Sequence, residues 1–513
     1  MSINNKSYTR NYLQTYLWQG IAIILNMASM FIVVPMITDN KMVYGVYSVC
    51  ISTAMFLSYA DLGFVSAGIK YAGEAYARGE KENELKLYGF SGFILFVFVA
   101  LIAGVYFLFS YNPSLLIKDI NQSQYLSIAS QLLFIQAIFS FNTVLQRYVT
   151  GAFQVRIEQY IYQRINIAGS LIKIVSVFYF FGSGKYDIVG YFLFIKIIEF
   201  LTLIVGILII EKKYKLRFID YIRFFKFDKQ VFKITKDLAF SSLFVTLMWI
   251  LYYELDTIAV GKMLGATAVA VFALAFTFMK FLRGLSSVVF SPFQNRYNHF
   301  VGLNDIPGLK TLVNKVILFS MPIFVLGVIS IIVLSNNIVL SWAGDEYFQS
   351  GIILSLLAVN FMYSFIIQPG SNMLTALVRI KEMYLINLIM VVVFWSGIFL
   401  TKNIWGVNSF AIFKLVAGTL SMLFYLNFLL GFLKISFIDF MKSTVFRIII
   451  PVIVEVVFLI IATNYLPVSK GKLNLFIVIA TGAIGTLLGF ITLYFSSSHY
   501  RIEFNHYIIK IKL

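Results

Sequence analysis

Eight ionisable side chains interrupt apolar runs of this chain: Asp61, Lys173, Lys196, Glu199, Glu254, Asp256, Lys414 and Glu455. At membrane depth such groups cost several kcal/mol each, so they mark a path for a charged solute or an internal pair. Lysines there suit an anion such as a phosphate or an acidic sugar. Carboxylates suit a proton or a cation. Lys173 lies mid-run in NIAGSLIKIVSVFYF with no acid one turn away. It needs a carboxylate on another helix, a water-filled cavity or an anionic ligand.

Lys196 and Glu199, three apart, share a helix face and either neutralise each other or line a path. Glu254 and Asp256 fall near the outer end of a helix, where hydration is cheap. Asp61 precedes Gly63 near an inner end, so it is either a coupling acid or a helix-packing residue. Lys414 is shallower and can snorkel outward. Glu455 lies in the last pair of helices. Uncharged polar residues add two further sets: Gln19 and Asn26, seven apart, and Asn360, Tyr363, Ser364 and Gln368 ahead of Pro369-Gly370. Each set shares a face, for hydrogen bonds between helices or for sugar hydroxyls.

Enzyme chemistry has little to stand on. There is no Walker loop, HExxH, CxxC or GxSxG, and His299, His499 and His506 do not cluster. No catalytic residue, metal site or cofactor is expected. The single cysteine, Cys50, excludes a disulfide within the chain.

The elements that position these groups follow from composition. Of 513 residues, 60% are hydrophobic and 12% charged, with a mean hydropathy of +0.86. A soluble domain cannot hide that much apolar surface. The sequence therefore predicts an all-α, polytopic membrane protein, with 53 Phe and 31 Tyr serving mainly lipid-facing and interfacial positions. About fourteen runs are long enough to span a bilayer. They centre near Ile24, Phe56, Phe98, Ile135, Ile174, Ile198, Trp249, Leu274, Phe324, Ala358, Val393, Ala417, Val456 and Leu487.

With the N-terminus inside, cytoplasmic segments hold about 31 of the 41 Lys and Arg, outer loops about 7 and helices about 3. Both termini are thus expected in the cytoplasm, and the net charge of +18 reads as a topological signal rather than a nucleic-acid footprint. The run from Tyr12 to Ile37 is too long for a signal-peptide core and is read as the first helix. Outer loops are short, the longest running from about Tyr111 to Ser123.

The expected organisation is a six-helix bundle over 1–210, a basic cytoplasmic linker over 211–237, a second six-helix bundle over 238–432, and two extra helices with a tail over 433–513. The linker, EKKYKLRFIDYIRFFKFDKQVFKITKD, mixes basic and aromatic residues and predicts an amphipathic surface helix. A shift of about 225 residues lays Gly45-Val46-Tyr47 over Ala270-Val271-Phe272, a faint internal repeat of the kind found in transporters.

The stretch from Val43 to Glu84, with Gly45-Val46-Tyr47 and Asp61-Leu62-Gly63, resembles the second helix of O-antigen and polysaccharide flippases. These belong to the multidrug/oligosaccharidyl-lipid/polysaccharide export superfamily. Tyr252 to Phe278, with Asp256 and Gly261, and Leu374 to Val393 are similar to two further segments of that family. The resemblance covers nearly the whole chain through the order and spacing of these motifs. It implies two six-helix bundles around a central cavity, plus two extra helices. The substrate it implies is an undecaprenyl-diphosphate-linked oligosaccharide, moved across the bacterial inner membrane for an O-antigen or a related polysaccharide. A polymerase and a chain-length regulator would be its pathway partners. On this reading Lys173, Lys196 and Lys414 meet the anion by alternating access. Asp61, Glu199, Glu254 or Asp256 take a proton or cation, and Gln19, Asn26, Asn360 and Gln368 line the path. Two alternatives stand beside it: a small-molecule exporter of the same superfamily, and a polymerase or ligase, which typically carries a large outer loop not seen here.

Overall fold

The computed structural model describes residues 5–120 and 122–502, and among them every regular element is a helix. His506 and both chain ends lie outside the described residues. Two compact units divide the chain, Met1–Ala270 and Val271–Leu513. This division falls beyond the 211–237 linker, so the helices immediately after the linker pack with the first unit.

The first unit holds α1 (Asn5–Ile37), α2 (Lys41–Ser52), α3 (Met55–Ser58), α4 (Phe64–Ala77), α5 (Lys81–Tyr111) and α6 (Ser123–Phe139). It continues with α7 (Asn142–Val155), α8 (Gln159–Phe181), α9 (Ile188–Tyr214), α10 (Phe218–Arg223), α11 (Lys229–Trp249) and α12 (Asp256–Leu264). Helix α13 (Ala266–Gly302) crosses the division. The second unit continues with α14 (Ile306–Ala343), α15 (Phe348–Met362), α16 (Ser364–Ala376), α17 (Ile380–Trp405) and α18 (Asn408–Leu433). It closes with α19 (Phe437–Ser443), α20 (Ile449–Thr463) and α21 (Lys472–Ser496).

Eleven helices among the described residues are long and apolar enough to cross a membrane, and thirteen if two bent pairs each count as one span. The bent pairs are α6–α7, at 43°, and α15–α16, at 50°. All-α polytopic architecture is therefore as expected, and the count differs at one centre, Trp249. Any stretch of α11 long enough to cross contains Lys233, Lys236 and Asp237, three charges too many for hydrocarbon. A π-helical turn over Ile250–Glu254 then interrupts the run into α12.

Asp61 departs from expectation as well. It stands in a turn between α3 and α4, not inside a helix, with Leu62 and Gly63 at φ 47° and 84°. Gly63 takes this left-handed conformation without a Cβ penalty. The Asp61 carboxylate accepts the Val65 N–H at 3.3 Å, which satisfies one open donor of the first turn of α4.

The end of α9 and the start of α11 take up the two ends of the linker, residues 211–214 and 229–237, and the short helix α10 lies between them. Its Tyr221 is 2% exposed and sits against Gly92 of α5, while Phe224 covers Gly89. A Cβ at either glycine would collide with the linker, so α5 is grooved to receive it. Asp228 then caps α11, accepting the N–H groups of Gln230 and Val231. The Lys86 ammonium, 2.9 Å away, together with those amides holds the Asp228 carboxyl below the usual carboxylate range.

Near the same end of the unit, Arg156 forks onto the Glu84 carboxylate at 2.6 and 3.0 Å. It also stacks 4.7 Å from the rings of Tyr76 and Tyr214. Both charged side chains are buried, at 7% and 2% exposure, so removing one partner strands the other. Arg156→Met is expected to destabilise the protein by about 3–5 kcal/mol, and the double variant Glu84→Leu/Arg156→Met to recover most of the loss. Thermal unfolding of the purified variants measures both.

In the second unit α14 is the central post, packed by α15, α20 and α21. Gly482, Gly485 and Gly489 present a small-residue face of α21 that lets neighbouring helices approach closely. Ser330 of α14 donates to the fully buried Glu455 of α20 at 2.7 Å. Glu455 is thus held within the helix packing of this unit.

Candidate functional site

The first unit holds a partly open cavity of about 310 Å³ whose wall is unusually polar for a bundle of apolar helices. Helix α8 supplies Tyr162, Asn166, Ser170 and Lys173, spaced four, four and three residues apart and so on one face. Helix α9 supplies Lys196, Glu199 and Thr202, again one face. The bent span α6–α7 supplies Gln136, Asn142, Thr143 and Gln146, and the stretch around α3 supplies Ala54, Leu57 and Ser58. Gly169 makes room for Thr202, which lets α8 and α9 approach closely.

Ser140, in the break, donates its hydroxyl to the carbonyl of Ala137, a local bond of the kind that competes with the helical ladder. Gln136 and Asn142, which a straight helix would set about 120° apart in rotation (six residues at 100° each), both reach the cavity.

At its heart are three charges from two helices. Lys173 Nζ lies 3.6 Å from Glu199 Oε1, and Lys196 Nζ lies 3.2 Å from Glu199 Oε2. Lys196 also sits 5.3 Å from the Phe192 ring. Two cations face one anion, so the trio carries a net charge of +1 (two minus one). Lys173 has thus met two of its three needs at once, a carboxylate on another helix and a polar cavity. Lys196 and Glu199 likewise both pair and line the space.

Two further groups are poised for a polar occupant. Gln136 is 2% exposed, and its Oε1, like Asn142 Nδ2, is buried without a hydrogen-bond partner. A buried polar atom left unmatched costs about 1–3 kcal/mol. An occupant rich in hydroxyl or phosphate oxygens would match both, with a donor for Gln136 and an acceptor for Asn142. Neither residue was singled out by sequence, and nor were Asn166 and Ser170. The signal for the latter two is the Asn166–Ser170–Lys173 spacing.

The remaining predicted residues lie elsewhere. Lys414, 3% exposed in α18 of the second unit, is flanked by the rings of Phe276 and Phe394, each 5.1 Å away. Glu254 ends the π-helical turn and Asp256, fully buried, opens α12. Gln19 and Asn26 sit on exposed positions of α1. Asn360 of α15 fills the space left by Gly418 of α18. Gln368 lies past the α15–α16 break at Tyr363, so the expected stripe from Asn360 to Gln368 does not run along one straight helix. Among the described residues no group of three or more His, Cys, Asp and Glu is arranged to hold a metal ion.

Two solved structures resemble the chain along most of its length. One is the lipid II flippase MurJ in an inward closed conformation, with a TM-score of 0.68 over 95% of this chain and 99% of that one, at 16% identity. Another is an inward-facing multidrug resistance transporter of the MATE family of the MOP superfamily, at a TM-score of 0.56, 81% and 99% coverage and 14% identity. At these identities the likeness shows a shared fold. No protein-family profile and no curated protein sequence matches the chain.

The charge balance of the cavity gives a direct test. Glu199→Gln raises the net charge of the trio and is expected to tighten pyrophosphate binding about tenfold, whereas Lys173→Met weakens it by a similar factor. Calorimetric titration of purified protein checks both signs.

Proposed function

We propose that the chain is a flippase that moves undecaprenyl-diphosphate-linked oligosaccharide repeat units, of an O-antigen or a related surface polysaccharide, across the bacterial inner membrane. The observation that carries this reading is the polar cavity with an excess positive charge, built inside helices long enough to cross a membrane. A diphosphate is too costly to carry through hydrocarbon uncompensated, and Lys173 with Lys196 supplies the compensation. Gln136, Asn142 and Asn166 offer amide donors and acceptors to sugar hydroxyls. The likeness of fold to a lipid II flippase is in keeping with such a substrate.

The cycle we envisage is alternating access. The diphosphate displaces Glu199 from the two lysines, and Glu199 reclaims them when the load departs. A proton on Glu199 would free both lysines for the load, which is the simplest way for an ion gradient to couple to transport. Asp256, buried at the head of α12, is a further coupling candidate, beside Asp61 and Glu254. Lys414 would serve the anion later in the path. With both termini in the cytoplasm, the repeat unit would leave toward a polymerase and its chain-length regulator outside.

A small-molecule exporter is the second reading, favoured by the likeness of fold to a multidrug transporter. The positive cavity disfavours organic cations as cargo. Protection from thermal unfolding by a soluble cation, with none from a lipid-linked saccharide, would select the exporter.

The flippase reading is tested by surface polysaccharide in a deletion strain complemented with wild type, Lys173→Ala or Lys173→Arg at equal protein level. Wild type and Arg are expected to restore polymer, and Ala to give at least tenfold less. Full restoration by Ala would make Lys173 a structural partner of Glu199 alone.

A further inference from the structure

Beside the polar cavity lies a second space, apolar and of about 470 Å³, within the size range of small-molecule sites. Its floor is the linker helix. Phe218, Tyr221, Ile222 and Phe225 recur at helical spacing and all line this space. The charged residues between them, Asp220 and Arg223, fall on the other face. Phe225 rests on Phe96 of α5, their rings 5.6 Å apart, and Phe200 of α9 and Ile138 of α6 complete the wall.

Two residues belong to both spaces. Phe139 and Asn142, on either side of the α6–α7 bend, line the polar cavity and the apolar groove alike. The bend therefore joins a cationic chamber to a hydrocarbon-lined one, with a polar amide and an aromatic ring at the junction.

We propose that this groove is a binding subsite for the first isoprenoid units of the substrate's lipid chain, whose diphosphate occupies the Lys173–Lys196 cavity. The proposal rests on the flippase reading and deepens it. A ligand with an anionic head and a branched hydrocarbon tail matches the pair of spaces in polarity and in order. A soluble sugar or a free phosphate would use the first space only. The aromatic stripe of the linker thereby gains a role, as one wall of a tail site attached to α5 through Gly89 and Gly92.

The test compares inorganic pyrophosphate with farnesyl diphosphate on purified protein in nanodiscs. The variants are Ile138→Trp and Ile222→Trp, both at exposed positions where a larger side chain fills the groove without entering the core. Wild type is expected to prefer the prenylated ligand. In each variant that preference should fall about tenfold, with pyrophosphate affinity unchanged. If pyrophosphate binds but the preference is the same in both variants, the groove is no tail site, and the flippase reading stands without it. If neither ligand binds wild type, and Lys173→Met changes nothing, the cavity is no anion site, and both the reading and the subsite fall.

Discussion

An ammonium group in hydrocarbon must be compensated by an opposite charge or by polar groups within reach. In this chain Glu199 compensates two lysines at once, Lys173 across the α8–α9 packing and Lys196 on its own helix. That arrangement leaves positive charge in excess, and the cavity around it is organised accordingly. Fully matched charges would make a quiet structural pair. Here the mismatch of one charge leaves a packing solution with positive charge in excess. Asn166, Ser170, Gln136 and Asn142 surround the trio with dipoles that stabilise charge without cancelling it.

The surrounding architecture keeps that trio accessible to polar solutes while the outer faces of the helices stay apolar. Gly169 lets α8 and α9 close on each other at Thr202, which fixes the lysine–glutamate geometry. The α6–α7 span bends by 43° at the break that holds Ser140, and amides from both halves line the cavity. Near one end of the unit, Arg156 ties α5, α7 and α9 together through Glu84, the Ala152 carbonyl and Tyr214. The linker, settled on the glycines of α5, closes the groove beside the cavity.

Sequence reading went furthest where hydrophobicity or charge alone decides the outcome. Long apolar runs gave nearly all the spans, and Lys173 stood out because nothing near it in sequence could neutralise it. It fell short where three-dimensional packing selects among equivalent local options. Trp249 reads as a span centre until the charges at 233, 236 and 237 and the π-helical turn are counted against it. Asp61 reads as a charge within a helix, yet its carboxylate takes an amide of α4. The stripe from Asn360 to Gln368 assumed a straight helix, whereas α15 and α16 break at Tyr363 and bend by 50°. Gln136 and Asn142 were invisible because a glutamine and an asparagine in apolar surroundings gain meaning only when a bend brings them together.

The central claim is that the Lys173–Lys196–Glu199 cavity is a polar chamber that prefers anions. Its most direct test starts from a Cys50→Ser background, which lacks cysteine, with Asn166→Cys added in the cavity wall. Rates of modification are then compared for an anionic and a cationic methanethiosulfonate of similar size, in membrane vesicles. The account predicts that the thiol reacts, that the anionic reagent is several-fold faster than the cationic one, and that inorganic pyrophosphate slows it. No reaction with either reagent, or a faster cationic one, would contradict it.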